Sequence, residues 1–332
     1  MSLGARMLAG RQVRPVGLGC MNLSWAYGSP PPREDCATLL NRALDLGYDH
    51  LDTANIYGQG ANEELLAEAV MHRRGEFLLA SKTGIIIDGP RRGVDCSPEA
   101  VTASVEASLA RLKTDHIDLF YLHRFDPTAP AADSVGALVR ATEAGKNAAD
   151  GVSEWRAAHI GEAHAVHPMA AVQTEYSLWT RNVELGVLET TLDLGIALVA
   201  FSPVGRGALG GELRDPATLR EKDLRRGHPR FNTENWPRNL ALIDRYNALA
   251  AEAGVEPAQL ALSWLLSRGD HVHAIPGTTK TDHLEENFAA LGVTVPADVL
   301  NRAGEIINQQ TVSGHRYPEV MRGTIDTEDF PG

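Results

Sequence analysis

The chain alternates eight short apolar runs with stretches that carry helix signals. The runs fall at Val16–Cys20, Tyr48–Asp52, Phe77–Lys82, Ile117–His123, Lys146–Ser153, Ala170–Gln173, Ile196–Phe201 and Val272–Ile275. Between the first two, Glu34 to Leu46 sets Leu39, Leu40, Ala43 and Leu44 on one helical stripe, and Gly47 supplies the stop. After the third run, Ser97-Pro98-Glu99-Ala100 places a capping hydroxyl, a first-turn proline and an acid in the order that starts a helix. Alternating strand–helix units with buried strands imply a parallel sheet, and eight of them imply an α/β fold closed as a (β/α)8 TIM barrel. An open doubly wound sheet would begin with a glycine-rich dinucleotide fingerprint. Here Gly17-Leu18-Gly19 runs into Cys20-Met21-Asn22-Leu23, with no third glycine and no immediate helix. The irregular stretch before Arg14 is read as an N-terminal hairpin, and Pro296 to Asn308 as part of an extra set of C-terminal helices. The tail from Thr311 is read as polar and mobile.

Composition narrows the class further. No shift in composition divides the 332 residues, so residues 1–332 are expected to form one barrel domain. A net charge of −12 makes a nucleic-acid partner implausible. No apolar run reaches the roughly 20 residues of a membrane span, and the N-terminus lacks a signal-peptide pattern. The three cysteines have no metal-ligand spacing and fit a reducing, cytoplasmic setting.

Three consecutive runs end in ionisable residues: Asp52, Lys82 and His123. In a barrel every strand delivers its C-terminal end to the same mouth, so the three should meet there. Tyr57 lies in the loop just past Asp52. A phenol has a reference pKa near ~10, and an ammonium within ~4–6 Å stabilises its anion. Asp52 can hold Lys82 in place, and His123 can donate to a carbonyl oxygen that gains negative charge. The set suits proton delivery to such an oxygen and offers neither a nucleophile beside a base nor a metal cage. Reducing a carbonyl needs a hydride partner, hence a cofactor. Ser202-Pro203-Val204-Gly205-Arg206-Gly207 follows strand seven, with glycines to expose N–H groups and Arg206 to pair with a pyrophosphate. Ile275-Pro276-Gly277-Thr278-Thr279-Lys280 follows strand eight and enters a helix, whose N-terminus favours anions. Barrels commonly bind phosphate at those two loops.

With these residues in place, the sequence resembles the aldo-keto reductase family of NADPH-dependent barrel oxidoreductases. The likeness is carried by Leu51-Asp52-Thr53-Ala54 with Tyr57-Gly58, Ala80-Ser81-Lys82, Asp118 to Arg124, Gly151-Val152-Ser153, Val172-Gln173, Phe201-Ser202-Pro203, Gly205-Arg206-Gly207, and Ile275 to Thr278 with Glu286-Asn287. It runs from about Val16 to Asn308. Within the family it is most similar to bacterial, fungal and plant reductases of aldehydes such as pyridoxal, a branch also suggested by Tyr176 to Trp179 and His315 to Glu319. The resemblance implies that Tyr57 is the general acid in carbonyl reduction, tuned by Lys82 and Asp52, with His123 orienting the carbonyl. It implies NADP(H) as cofactor and a small carbonyl or alcohol as substrate, with no nucleic acid or membrane partner and no metal. Ser153 and Gln173 would hold the nicotinamide carboxamide, and Phe201 would stack on its ring. Ser202, Val204, Gly205 and Arg206 would line the pyrophosphate. Thr278, Lys280, His283, Glu286 and Asn287 would surround the adenosine and its 2′-phosphate. Gly19, Cys20, Met21, Ile275 and Gly277 complete the cofactor set.

Several positions depart from the pattern. Asn147 and Asp150 bring polar side chains into the stretch 147–150, where relatives usually carry apolar residues. A carboxylate inside a strand is costly unless paired, and Arg140 on the preceding helix is the nearest candidate cation. The 2′-phosphate site offers Lys280 and His283 in place of arginines, and Lys provides only a point charge. Trp25, Tyr27 and Trp179 are candidate pocket walls, and Arg91-Arg92 reads as a solvated loop pair. Two other functions remain open on sequence: a cofactor-binding barrel acting as a redox-sensing or interaction subunit, and a metal-dependent hydrolase using Asp52 and His123. Substrate identity and oligomeric state are open.

Overall fold

Strand order in space repeats strand order in sequence. Eight parallel strands run Leu18–Gly19, His50–Asp52, Leu78–Thr83, Leu119–Leu122, Asp150–Ser153, Ala171–Glu175, Ala197–Phe201 and Val272–Ile275, each paired with the next. They are numbered one to eight below. The structure is a computed structural model and describes residues 3–88 and 91–331, without the side chains of 88, 91 and 92. The first and last strands meet at a seam. Val16 bridges Ala274 in parallel, Gly17 N–H donates to the Ala274 carbonyl at 2.9 Å, and Ala274 N–H donates to that of Pro15 at 2.7 Å. The sheet therefore closes as the (β/α)8 barrel that the alternation implies.

Period two decides what fills it. Leu78 and Ala80 of strand three, Leu119 and Tyr121 of strand four, Ala171 of strand six, Ala197 and Val199 of strand seven and Ile275 of strand eight form one buried interior cluster. Gly151 makes room for a large neighbour, since a Cβ there would lie 2.5 Å from the Tyr121 ring. One face of each strand thus points inward, and its next inward position toward the mouth is where Lys82, His123, Gln173 and Phe201 stand. The N-terminal stretch is a hairpin, Arg6–Leu8 with Arg11–Val13, whose Leu8 and Val13 plug the floor of this cluster. Arg6 fastens it by donating to the carbonyls of Leu266 and Gly269, each at 2.9 Å, and of Val272.

Helices cover the outer face. The helix Arg33–Leu46 buries Leu39, Leu40, Ala43 and Leu44 and ends on Gly47 at φ 100°, a left-handed cap that glycine adopts without penalty. Ser97 caps the helix Pro98–Leu112 by accepting the Ala100 N–H at 3.4 Å. Trp236–Glu252 and Pro257–Leu266 separate the last two strands, and Ala297–Ile306 and Glu319–Arg322 follow the barrel.

Four sequence readings need correction. The stretch after strand three is not a plain loop: Ile85–Asp88 and Arg91–Val94 pair as an antiparallel hairpin, while the Arg91-Arg92 side chains lie outside those described. Val183 to Leu194, whose sequence reads as one helix closed by Gly195, breaks at Gly186 into a 3-10 turn, Asn182–Leu185, and a short helix, Val187–Asp193. The tail is not loose. Arg316 and Tyr317 are buried, and the backbone N–H groups of Asp326 and Thr327 donate to the Glu154 carbonyl at 3.2 and 3.1 Å. Its partners lie on strands five and six, which a polar composition does not disclose. Finally, Arg140 is not the partner of Asp150. That carboxylate faces the helix Ala131–Glu143, where Oδ1 accepts from Asn147 Nδ2 at 2.6 Å and from Thr142 Oγ1 at 3.0 Å. Asn147 and Asp150, two misfits in an apolar strand, thus share a hydrogen bond, while Asn147 Oδ1 and Asp150 Oδ2 stay buried without a hydrogen-bond partner among the described residues.

Candidate active site

The strand ends bring the four candidate catalytic residues together. Lys82 is fully buried, forms an ion pair with Asp52 Oδ1, and donates to the Thr53 carbonyl at 2.7 Å. Its Nζ also lies 3.4 Å from Tyr57 Oη. Asp52 is held from the other side by Gln173 Nε2 at 2.7 Å. The loop that carries Tyr57 extends the sheet pairing: Thr53 N–H donates to Ala80 O and Asn55 N–H to Lys82 O. A turn through Gly58 and Gln59, both at positive φ, then sets the phenol over the mouth. Asn62 ties this loop to the one after strand one, accepting from Thr53 Oγ1 at 2.6 Å and donating to the Cys20 carbonyl at 2.9 Å. The His123 ring meets the Tyr57 ring edge-on at 5.8 Å, and Trp25 lies 6.2 Å from it on another side.

Burial decides the protonation states. It raises the Tyr57 pKa, and the nearby Lys82 ammonium offsets this only in part, so the phenol keeps its proton at neutral pH. Burial opposes charge on Lys82, but Asp52 and Tyr57 outweigh it and hold the ammonium above its usual value. Burial pushes the Asp52 carboxyl up while Lys82 and Gln173 pull it back. For His123, burial and the neighbouring Arg124 and Lys82 charges keep the ring neutral, well below its ordinary pKa.

The candidate cofactor residues line the same mouth. Gly19 and Gly277 face each other across the seam: a Cβ at Gly19 would sit 2.7 Å from the Ile275 carbonyl, and one at Gly277 2.8 Å from that of Gly19. Cys20 is buried, its thiol pushed up by burial, and Met21 packs beside Ala54, Ile56 and Tyr57. Ser153 ends strand five with its Oγ buried and, among the described residues, without a hydrogen-bond partner. His123 Nδ1 and Asn22 Oδ1 are orphaned in the same way. Such groups need a partner that the protein does not supply. Phe201 is half-buried at the end of strand seven. Beyond it, Ser202, Gly205, Arg206 and Gly207 all have positive φ, a run that turns backbone N–H groups to one side as anion nests do; Val204 sits within it. After strand eight, buried Ile275 leads to Thr278, whose hydroxyl accepts the Lys280 N–H at 3.0 Å. Asn287 is buried on the helix Thr281–Ala289, where burial raises the carboxyl pKa of Glu286. The residues present therefore fit a dinucleotide laid across the mouth.

Four candidates are engaged elsewhere. Gln173 donates its amide to Asp52. Arg206 donates to Glu175 Oε2 at 3.0 Å rather than standing open to a phosphate. Lys280 and His283 share the carboxylate of Glu212, at 2.8 and 3.0 Å. The strand-end pattern passes over Glu175, yet period two from Gln173 points it inward, one step closer to the mouth. Glu154, also buried, accepts from Thr174 Oγ1 and from Glu175 N–H, and pairs with Arg316 at 2.9 Å. Burial opposes its charge, but Arg316 and Arg124 bring its pKa down to about 2. Asp52 is saturated by Lys82 and Gln173, which speaks against its use as a metal ligand.

Comparison with known proteins gives a family and a fold. A family model described as the aldo/keto reductase family matches residues 15–308. A probable aldo-keto reductase 1 from Glycine max is 39% identical over 310 residues, covering 93% of this chain and 89% of that protein. The glycerol dehydrogenase AKR11B4 from Gluconobacter oxydans superposes with a TM-score of 0.84 at 24% identity, over 100% of this chain and 99% of that one. The holo form of the aldo-keto reductase AKR11C1 from Bacillus halodurans gives 0.77 at 24% identity, over 94% and 98%.

Proposed function

The chain belongs to the aldo/keto reductase family, and we propose that it is an oxidoreductase that reversibly reduces aldehydes or ketones to alcohols with NADPH, Tyr57 serving as proton donor. The observation that carries this reading is the buried chain Asp52–Lys82–Tyr57, with the phenol oxygen 3.4 Å from an ammonium that is itself fixed on both sides. When bound, NADPH supplies the hydride. The protein's part is to give a proton to the carbonyl oxygen as negative charge develops there. Tyr57 holds that proton in the ground state because burial keeps it neutral, and Lys82 stabilises the phenolate left after transfer. Asp52 and Gln173 prevent Lys82 from swinging away. His123, neutral, offers a ring N–H to orient the carbonyl oxygen without adding a second cation. In the alcohol direction Tyr57 takes the proton back.

Gly19, Gly277 and the backbone of 202–207 would hold the dinucleotide's phosphates, Ser153 its carboxamide, Phe201 its ring, and Thr278, Lys280, His283 and Asn287 its adenosine end. Tyr57→Phe tests the assignment. General acids contribute about 10²–10⁴ in rate, so turnover on an aromatic aldehyde should fall by at least about 100-fold while NADPH affinity stays within about twofold. A mutant that keeps most of its turnover would remove Tyr57 from this role.

A further inference from the structure

Two fully buried carboxylates, Glu154 and Glu175, sit at the ends of neighbouring strands, and proton delivery by Tyr57 uses neither. Like charges this close are tolerated in a low-dielectric site only with cations between them. Arg316 answers both, with Nη2 2.9 Å from Glu154 and Nη1 3.6 Å from Glu175. Glu175 also takes Arg206, and both guanidinium groups lie 5.2 Å from the centroid of the Tyr317 ring. Arg230, buried below them, binds the Trp179 carbonyl and Thr180 instead. Arg206 is a non-glycine residue at φ 57°, a conformation that persists only where its surroundings enforce it. Its carbonyl is gripped as well, by Arg225 Nη1 at 3.1 Å. A single carboxylate therefore joins strand six, the 202–207 turn and the C-terminal segment, three parts of the chain with no local reason to associate.

We propose that Glu175 is a positioning residue that locks the phosphate-facing turn at 202–207 to the C-terminal segment through Arg206 and Arg316, so that binding of NADP(H) and ordering of residues 311–331 favour each other. This rests on the cofactor reading above. The coupling is reciprocal, as any linkage between two equilibria must be. A cofactor that fastens the turn holds Arg206 against Glu175, which keeps Arg316 and Tyr317 seated. Loss of the seated tail frees Arg206 to leave its left-handed conformation and disperses the N–H groups of the turn.

The test uses the full chain, with NADPH binding read by quenching of intrinsic fluorescence and the tail read by limited trypsin digestion at Arg316 and Arg322. In the wild type, saturating NADPH should slow cleavage within 311–331 several-fold. Glu175→Gln should weaken NADPH binding at least fivefold, speed tail cleavage and abolish its protection by NADPH. KM for NADPH should rise more than kcat falls, because Asp52, Lys82 and Tyr57 are untouched. Glu175→Asp, which keeps the charge, should recover part of both effects. Tyr317→Leu leaves every charge in place and should move both readouts the same way by a smaller factor, which covers the case of a Glu175→Gln chain that fails to fold. Unchanged NADPH affinity in Glu175→Gln, or wild-type tail cleavage indifferent to NADPH, overturns the proposal. Tighter binding by Glu175→Gln also overturns it, showing that Arg206 is a phosphate ligand that Glu175 restrains. Wild-type protein that binds no NADPH removes this inference and the cofactor reading together, a result distinct from the others.

Discussion

A single residue separates His50 from Asp52 on strand two, yet the protein treats them in opposite ways. At the mouth, Asp52 is buried in an ion pair with Lys82 and receives a second hydrogen bond from Gln173. At the floor, both ring nitrogens of His50 are buried without a partner among the described residues, and burial lowers its pKa to about 3. His273 on strand eight is likewise lowered to about 3. The same contrast runs along strand five. Burial raises the pKa of Asp150, whose hydrogen-bond partners are neutral, whereas Glu154, paired with Arg316, ends at about 2. Desolvation acts on all five groups; what differs is whether a counter-charge stands beside them. The interior holds charge where a counter-charge is at hand, as at Asp52 and Glu154, and stays neutral where none is, as at His50 and His273.

The largest expected effect comes from removing the mouth's cation. Lys82→Met strands Asp52 in a dry site, which costs about 3–5 kcal/mol of stability for a broken buried pair and should abolish turnover. Melting temperature and activity measured together check this. A stable but inactive variant would show that Asp52 takes up a proton and that the mouth can go neutral as the floor does.

The floor should show its neutrality as acid sensitivity. A histidine whose folded pKa lies below its unfolded value contributes stability above the unfolded value and loses it as pH falls toward the folded one. Between about pH 6.5 and pH 3, each such ring costs up to about 1.4 kcal/mol per pH unit. His50→Leu gives up no hydrogen bond and should flatten that slope in denaturant melts at pH 7 and pH 4.5. An unchanged slope would mean the ring is already charged, or already exposed, at the lower pH.

Asp150 sharpens the contrast with the opposite sign. Its folded pKa is raised, so its contribution is full below the unfolded value and is lost as pH climbs through the folded one. Asp150→Asn keeps an acceptor for Asn147 and Thr142, removes the titration, and should add roughly 1 kcal/mol at pH 7 and nothing at pH 3. Asp150→Ile, attractive from the sequence alone, should instead lower stability by about 1–3 kcal/mol, because the Asn147 donor loses its best partner. A lower melt for Asp150→Asn at pH 7 would assign His167, 3.7 Å away, more weight than its exposed position suggests.

The smallest effect belongs to the solvated rim. Glu212 competes with any phosphate for Lys280 and His283. Exposed pairs are worth roughly 0–1 kcal/mol, so Glu212→Gln should raise the preference for NADPH over NADH only a few-fold in kcat/KM. A shift toward NADH would move the 2′-phosphate contact away from these two residues.

Much of the molecule was legible before any coordinates. Asp52, Lys82 and His123 end consecutive strands, and strand ends in a barrel have one destination, so their meeting follows from topology. Tyr57 was legible because a loop of five residues cannot carry it far. The buried network was not legible. Glu154, Glu175, Arg206 and Arg316 come from four distant segments, and a charged residue in sequence carries no sign of being dry. The same blindness makes the tail read as loose and hides the hydrogen bond by which Asn147 meets Asp150. The direction of the Tyr57 shift also lay beyond sequence, since it depends on how much water the hairpin at Ile85–Val94 and Trp25 leave around the phenol.

The seam between Val16 and Ala274 has a consequence for the order in which the protein comes into being. Strand one is only Leu18–Gly19, and its outer neighbour is strand eight, supplied near the other end of the chain. During synthesis the wall must wait, with one edge of strand seven and one of strand one unpaired, until residues 272–277 leave the ribosome. Open edges of this kind recruit strands from other chains. Brevity is strand one's protection: a two-residue edge offers an intruder little to pair with. Lengthening it toward the hairpin, by replacing Gly17 with a β-branched residue, would press on the His50 ring and would also hand the nascent chain a better template for aggregation.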